Sequence, residues 1–360
     1  MKKLKKQYVI PVFIPHLGCP NDCSFCNQKS ISGKAKMPTK EEVINIIEEY
    51  LNNMNEETEK EIAFFGGSFT GIDTEKQKEY LEIANEYIVA KKVQGIRIST
   101  RPDYINKEIL KMLKNYNVKT IELGVQSTND YILNRCDRGH TFKDVKNASK
   151  LIKRYRFNLG HQMMVGLPES TKLDEIRTAK DLIKLKPAMV RIYPVLVIKG
   201  TKLEKELQEG EYTPLNVSQA VERCKELMYL FNSKKIQVIR VGLQNTDEIT
   251  DPNLKGSQIV AGPYHPAFGQ LVEDSMWHDS IVEKIKKIND KVKEVKVKVN
   301  FADLNNAIGH KKSNIKNIKE IYNVDVIVEA DNDIKEGKSE LIILQTYDDY
   351  MEQVRRKIEN

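Results

Sequence analysis

Three of the five cysteines fall within eight residues, in the run C-P-N-D-C-S-F-C that carries Cys19, Cys23 and Cys26. Thiolates are soft ligands, so three from one loop can converge on a single metal site. A disulfide would use two and strand the third. Structural zinc takes four ligands and usually draws them from two paired knuckles, but no second pair follows. His16 could complete a zinc set. Cys136 and Cys224 stand alone in helical contexts and read as packing residues. On these residues alone an iron–sulfur cluster, a zinc site and unligated thiols all stay open. A four-iron cluster held by three cysteines would leave one iron free for a ligand, as catalytic zinc keeps an open position.

Such a loop needs a scaffold, and the chain supplies a regular one. Apolar runs at Tyr8–Ile14, Ile62–Gly67, Gly95–Thr100, Thr120–Ser127, Leu159–Leu167 and Met189–Val197 read as strands. Amphipathic, charge-rich segments read as helices between and after them: Lys40–Asn53, Glu75–Lys92, Asn106–Asn115, Phe142–Arg156, Leu173–Leu185 and Ser218–Ser233. Repeated strand–helix alternation means a parallel sheet covered by helices. Polar and glycine-rich residues recur at the strand C-termini, in GGS, STR, GVQS and GLPES, on the edge where such sheets bind ligands. The cysteines follow the first strand and open onto that edge. Six strands are fewer than a closed eight-fold barrel has, so the expected architecture is a partial, laterally open (βα)6 barrel of the TIM type.

The pattern changes near Lys291. A strand, two short helices, two strands and a helix follow within about 70 residues, a small α/β domain in its own right. The expected division is 1–280 for the barrel with its extension and 291–360 for the small domain. The stretch Gln244–His278, with GPYHPAFG, is poor in helical periodicity and reads as a lid or packed connection.

Bulk properties narrow the class. The chain has 360 residues, 40% hydrophobic and 30% charged, as in soluble globular proteins. Its basic start is followed by a short apolar run broken by Pro11 and Pro15, with no signal-peptide pattern, and nothing reaches transmembrane length. Bunched cysteines argue against a secreted disulfide framework, so a cytoplasmic protein with no membrane partner is expected. The net charge of +7 is compatible with a polyanionic partner without requiring one.

The motifs together resemble the radical S-adenosylmethionine superfamily: C-x3-C-x-aromatic-C after the first strand of a parallel α/β array, then FFGGSF, GVQS and DRGHT. The resemblance implies a 4Fe-4S cluster on Cys19, Cys23 and Cys26, with S-adenosyl-L-methionine on the open iron. One electron, from a donor such as ferredoxin or flavodoxin, would then free a 5′-deoxyadenosyl radical that abstracts hydrogen from substrate. It further implies that Gly66, Gly67 and Ser68 lie along the methionyl amino group and that Arg138 pairs its carboxylate. Gln126 would contact the cofactor, Gln162 would lie near its ribose, and Phe25 near its adenine. Ser99 departs from the pattern, since close relatives usually carry glutamate there. FGGSFTGID, STRPDYI, IELGVQST, GLPEST and RIYPVLVIKGT, over about residues 8–278, are similar to the radical domain of the Elongator catalytic subunit, which implies action on a transfer RNA base. The cysteine spacing is shorter here and no acyl-coenzyme A loop is found, so acetyl chemistry is not carried over. The alternative is a radical enzyme on a small molecule, similar to oxygen-independent coproporphyrinogen oxidases, which share the spacing and GVQS.

IGHKKSNI, Ile308–Ile315, lies between the two short helices of the small domain and resembles the nucleic-acid clamp of a KH domain. Gly309, Lys311 and Lys312 are its candidate RNA contacts, and Lys316 and Lys319 extend the basic face. Lys312 stands where the family has a second glycine, a strained choice if that position needs positive φ. Against this stands a solvated helix face on a domain that only packs. Tyr193, His265, Tyr104 and Tyr264 are weaker substrate-side candidates.

Overall fold

The computed structural model describes residues 8–15, 23–27, 36–54, 58–244, 249–288 and 291–359. Cys19 and His16 lie outside the described residues. The chain divides into two compact units, residues 1–266 and 267–360.

The first unit is built on strands β1 (Tyr8–Ile14), β2 (Lys60–Gly66), β3 (Gly95–Thr100), β4 (Val118–Gln126), β5 (Asn158–Val165), β6 (Met189–Pro194) and β8 (Gln237–Val241). They form one seven-stranded sheet in that order, every neighbouring pair parallel. The sheet curls into an open partial barrel. The strand β8 extends the six expected; its run QVIRV is short and follows a long helix without a turn motif. Met189–Val197, read as one strand, ends at Pro194, and Val197–Ile198 (β7) pairs instead with Ile259–Ala261 (β9).

The helices of this unit are α1 (Lys40–Asn52), α2 (Thr74–Val89), α3 (Lys107–Asn115), α4 (Asp130–Arg135), α5 (Phe142–Arg154), α6 (Lys172–Leu185), α7 (Lys202–Gln208) and α8 (Val217–Ser233). Capping boxes at Thr39/Glu42, Thr171/Asp174 and Asn216/Gln219 satisfy the first-turn amides of α1, α6 and α8.

Side chains alternate across a strand, and here the alternation sorts two chemistries. Ile62 and Phe64, Ile96 and Ile98, Ile121 and Leu123, and Val190 and Ile192 are wholly buried on one face. Phe64 stacks on Phe69 and on Tyr80 of α2, which identifies that face as the one under the helices. The alternate positions, Glu61, Arg97, Thr120, Glu122, Gln162 and Arg191, are polar and point the other way, into the barrel. Parallel strands covered on both sides usually read as continuous apolar runs, so a polar inner face signals an interior built for something other than packing.

The second unit holds α9 (Phe268–Lys286), β10 (Val292–Val299), α10 (Leu304–Ile308), α11 (Ser313–Tyr322), β11 (Asp325–Ala330), β12 (Ser339–Thr346) and α12 (Tyr347–Glu359). Its sheet order is β11-β10-β12, with β10 parallel to β11 and antiparallel to β12. Val295, Val297 and Val299 pack with Ile318 and with Ile281, Val282 and Ile285 of α9. The helix α9 occupies the end of the stretch read above as lacking helical periodicity. Its apolar stripe is interrupted by the buried Asp274, whose Oδ2 accepts from the His310 backbone amide at 2.7 Å. Among the described residues no helix is long and apolar enough to cross a membrane.

His161 illustrates the outer layer. It faces Ser149 of α5 across 2.9 Å and is wholly enclosed, so burial keeps the imidazole neutral and lowers its pKa from 6.5 to about 3. Below pH 6.5 the unfolded chain takes up a proton that the folded one refuses. Stability from this residue is therefore complete above about pH 6.5 and lost as pH falls toward 3. The acid-side decline in urea unfolding free energy should be shallower in His161→Gln, by up to about 1.4 kcal/mol per pH unit between about pH 6 and pH 4. An unchanged slope would show that the imidazole titrates alike in both states.

Candidate active site

A cavity of about 280 Å³ opens at the C-terminal ends of the barrel strands. Its wall includes Phe25, Gly66, Gly67, Ser68, Gln126, Arg138 and Gln162, so the structure gathers every candidate cofactor residue on one surface. Ser99 and Tyr193 join them, while Tyr104, Tyr264 and His265 are not among the lining residues. Gly309, Lys311 and Lys312 belong to the second unit.

The cysteine loop is tied down from outside the barrel. Ser24 donates its amide to Cys136 O at 3.1 Å, Leu203 donates to Ser24 O at 2.8 Å, and Asn27 Nδ2 donates to Lys199 O at 2.5 Å. These bonds hold Cys23, buried, and Cys26, half-buried at the cavity, while Phe25 packs against the cluster around Ile132, Cys136 and Leu203. Burial pushes the Cys136 thiol up to about 12, which suits a packing residue rather than a ligand. Cys224 is likewise buried and free.

Arg138 is the positive group beside the thiols. Its Nη1 donates toward Cys23 Sγ at 3.5 Å and its Nη2 donates to Gly124 O at 2.8 Å. Its Nε is buried with no partner among the described residues. A β-carbon on Gly124 would stand 2.8 Å from Arg138 Nη2, so glycine there makes room for the guanidinium. Gly66 is equally constrained: it sits at φ +96°, and a β-carbon would lie 2.7 Å from Ile14 O. Gly67 donates its amide to that same oxygen at 2.7 Å. Ser68 Oγ lies 2.8 Å from Thr100 Oγ1 and accepts from the Arg101 amide at 3.1 Å, fixing the turn beside the glycines. Gln162 Nε2 donates to Gln126 Oε1 at 3.5 Å, joining two amides across β4 and β5. His140, next to Arg138, is held neutral, its pKa lowered to about 3 by burial and by the Arg138 and Arg101 charges.

Below these groups runs a chain of charges that single-motif reading missed. Arg97 bridges Glu61 at 2.6 Å and Glu122 at 2.8 Å, and Glu122 also accepts from Arg191 at 2.6 and 3.1 Å. Glu61, Arg97 and Glu122 are nearly water-free. Burial pushes the Glu122 carboxyl up, but Arg191 and Arg97 pull harder and leave it below its usual value. Arg191 also lies over the Phe65 ring, 5.1 Å from its centre, and its Nη1 is 3.4 Å from the Tyr193 hydroxyl. Arg240 of β8 lies beside Arg191 in register and lines the same cavity.

Residues 13–182 match the description Radical SAM superfamily, and residues 187–278 match Radical_SAM C-terminal domain. An uncharacterised protein of Methanocaldococcus jannaschii is 36% identical over 236 residues, which cover 61% of this chain and 71% of that protein. The chain belongs to the radical SAM superfamily. It is a radical SAM enzyme. The tRNA uridine(34) acetyltransferase of M. jannaschii is 34% identical over 196 residues, 48% of this chain and 36% of that protein. The chain thus spans little more than a third of that relative. The structure of the archaeal Methanocaldococcus infernus Elp3 with an N-terminal deletion matches with a TM-score of 0.58 and 24% identity, covering 77% of this chain and 64% of that one. That similarity speaks for the radical SAM barrel fold.

The charge chain makes a stability prediction. Arg97→Met would leave Glu61 buried without its ion-pair partner and Glu122 with one cation in place of two, and should cost about 3–5 kcal/mol in urea unfolding. Adding Glu61→Leu keeps the Glu122–Arg191 pair whole and should recover most of that loss. A double variant no more stable than Arg97→Met alone would overturn the pairing argument.

Proposed function

We propose that this chain binds a 4Fe-4S cluster through Cys19, Cys23 and Cys26, binds S-adenosyl-L-methionine in the cavity, and uses the resulting radical chemistry to modify RNA, a transfer RNA base being the favoured target. The observation that carries the reading is the single cavity in which Cys26, the Gly66–Gly67 turn, Gln126, Arg138 and Gln162 meet. The residues present fit both groups. Thiols are the donors iron takes, and the buried Arg138 Nε, without a partner among the described residues, leaves a charged donor for a carboxylate.

When bound, the cluster and cofactor supply a one-electron reductive cleavage that ends in hydrogen abstraction from the substrate. The chain's own residues position and shield. The glycines of the Gly66–Gly67 turn keep that wall flat enough for a close-lying ligand. Gln126 and Gln162 offer amide donors and acceptors for a hydroxyl-bearing ring. Phe13, Phe25, Phe65, Met164, Leu196 and Ile198 give the cavity apolar walls that exclude water. The electron would come from a donor such as ferredoxin or flavodoxin, in the cytoplasm.

Anaerobically reconstituted protein should contain iron and release 5′-deoxyadenosine from S-adenosyl-L-methionine on reduction. Cys23→Ala should abolish the release. Near-zero iron with stoichiometric zinc in the wild type would sink the reading.

For the RNA target, support comes from the sequence similarity to tRNA uridine(34) acetyltransferases and from the second unit. Its strand–helix–helix–strand–strand–helix core follows the KH-like order, with Gly309 at φ 80° between the two helices. Lys311 and Lys312 both take left-handed conformations, φ 52° and 62°, in an exposed turn. The strain is held in place by Asn314, whose Nδ2 donates to Asp274 O at 2.8 Å and Asn306 O at 3.0 Å, and by the His310–Asp274 bond. Two lysines kept in strained geometry at a helix start are well placed for phosphate. Lys311→Gln/Lys312→Gln should weaken transfer RNA binding at least about tenfold and lower the salt slope of log K by about two. Unchanged affinity and slope would remove the second unit from RNA recognition and leave the small-molecule alternative ahead.

A further inference from the structure

The charges lining the cavity do not sum to zero. Four arginines, Arg101, Arg138, Arg191 and Arg240, face one carboxylate, Glu122, among the described lining residues. Arg101 is balanced by Asp103, with Nη2–Oδ2 and Nε–Oδ1 distances of 3.0 Å. Arg191 and Arg97 are together balanced by Glu122 and Glu61. Arg138 is the cation assigned above to the cofactor carboxylate. Arg240 remains. It is half-buried, and among the described residues it makes no hydrogen bond or ion pair.

Its position makes that excess costly. Arg240 and Arg191 are register partners on adjacent parallel strands, and strands in a sheet lie about 4.8 Å apart. Two like charges side by side in a half-dry cavity repel, and the surplus is relieved when an anion sits between them. Arg191 cannot turn away, since Glu122 holds its Nε and Nη2 and Phe65 lies under its plane. Its Nη1, near Tyr193 Oη, is the edge left toward the cavity. The fixed Nη1 of Arg191, a second guanidinium and a phenol hydroxyl make a set of donors that matches a carboxylate or phosphate.

Sheet order separates this set from the cofactor residues. Those lie on β2, β4 and β5, on the cysteine loop that follows β1 and on the loop after α4, whereas Arg191, Tyr193 and Arg240 lie on β6 and β8, toward the opposite edge of the sheet. We propose that the β6–β8 end of the cavity is an oxyanion subsite for the substrate, formed by Arg240, Arg191 and Tyr193. Calling its ligand the substrate rests on the radical reading above; the subsite itself rests on the geometry. The oxyanion comes either from a phosphate of the RNA next to the target base or from a separate small acid.

The test is calorimetric titration of the anaerobically purified full chain with inorganic phosphate, with acetate and with a short single-stranded RNA. Arg240 is the residue to change because it carries no structural partner among the described residues, whereas Arg191→Gln would unbalance Glu122. Wild type should bind phosphate or acetate with an affinity that falls at least about tenfold in Arg240→Gln and is kept within about threefold in Arg240→Lys. Lys111→Gln, an equal charge loss on exposed α3, should leave it unchanged. If RNA affinity falls together with the anion affinity and the salt slope drops by about one, RNA phosphate is the source. If only the small anions are affected, the ligand is a separate acid. Equal anion affinity in wild type and Arg240→Gln, or no anion binding by wild type at about 10 mM, overturns the subsite. Iron content and 5′-deoxyadenosine release by the same wild-type preparation judge the radical reading independently.

Discussion

Arg97 lies between Glu61 and Glu122 with almost no water around any of them, and the three strands that carry them are hydrogen-bonded neighbours. Much of the first unit depends on that arrangement. A slip of one residue in any of these strands would turn its charge from the barrel interior into the helix layer, against Ile and Phe side chains. The cost of an unpaired buried charge therefore fixes register more sharply than the apolar outer face could. Arg191 extends the chain to β6, so four of the seven strands are locked by side chains as well as by backbone.

Fixing the register in turn places the ligand-facing groups. Glu122, Gly124 and Gln126 follow one another along the inner face of β4. The same strand thus anchors the charge chain at its middle, gives Arg138 a carbonyl and room at Gly124, and presents an amide at its end. A stable interior and a shaped cavity are consecutive stretches of one polar surface. The cysteine loop is positioned differently, by backbone bonds to the end of α4 and the start of α7, outside the barrel.

The strand–helix alternation was legible because each apolar run is short and each helix is amphipathic, and six of the seven sheet strands follow from it. QVIRV was not, since five residues with one charge carry little periodic signal, and α9 was hidden by the buried Asp274 within its apolar stripe. The residues at or just past the ends of β2 and β4, Gly66, Gly67, Ser68 and Gln126, stand out because glycine and amides punctuate apolar runs. Glu122, Arg191 and Arg240 lie inside the runs and are easily passed over as strand content. Their signal is of another kind: in T-I-E-L-G-V-Q and V-R-I-Y every second residue is polar or small, while the residues between are all aliphatic. Only the fold shows that these alternate sets from separate strands meet.

The same alternation bears on how such a barrel changes over generations. The residues under the helices and the residues facing the cavity share each strand but hardly any contacts, so a substitution in one set leaves the other's packing in place. Selection for a new ligand can act on Tyr193 or Arg240 while the layer of Ile and Phe continues to specify the fold. The exception is the charge chain, where a single exchange strands a partner. Lineages are thus expected to alter the upper, cavity-facing positions one at a time, and to replace Glu61, Arg97 and Glu122 only as a set.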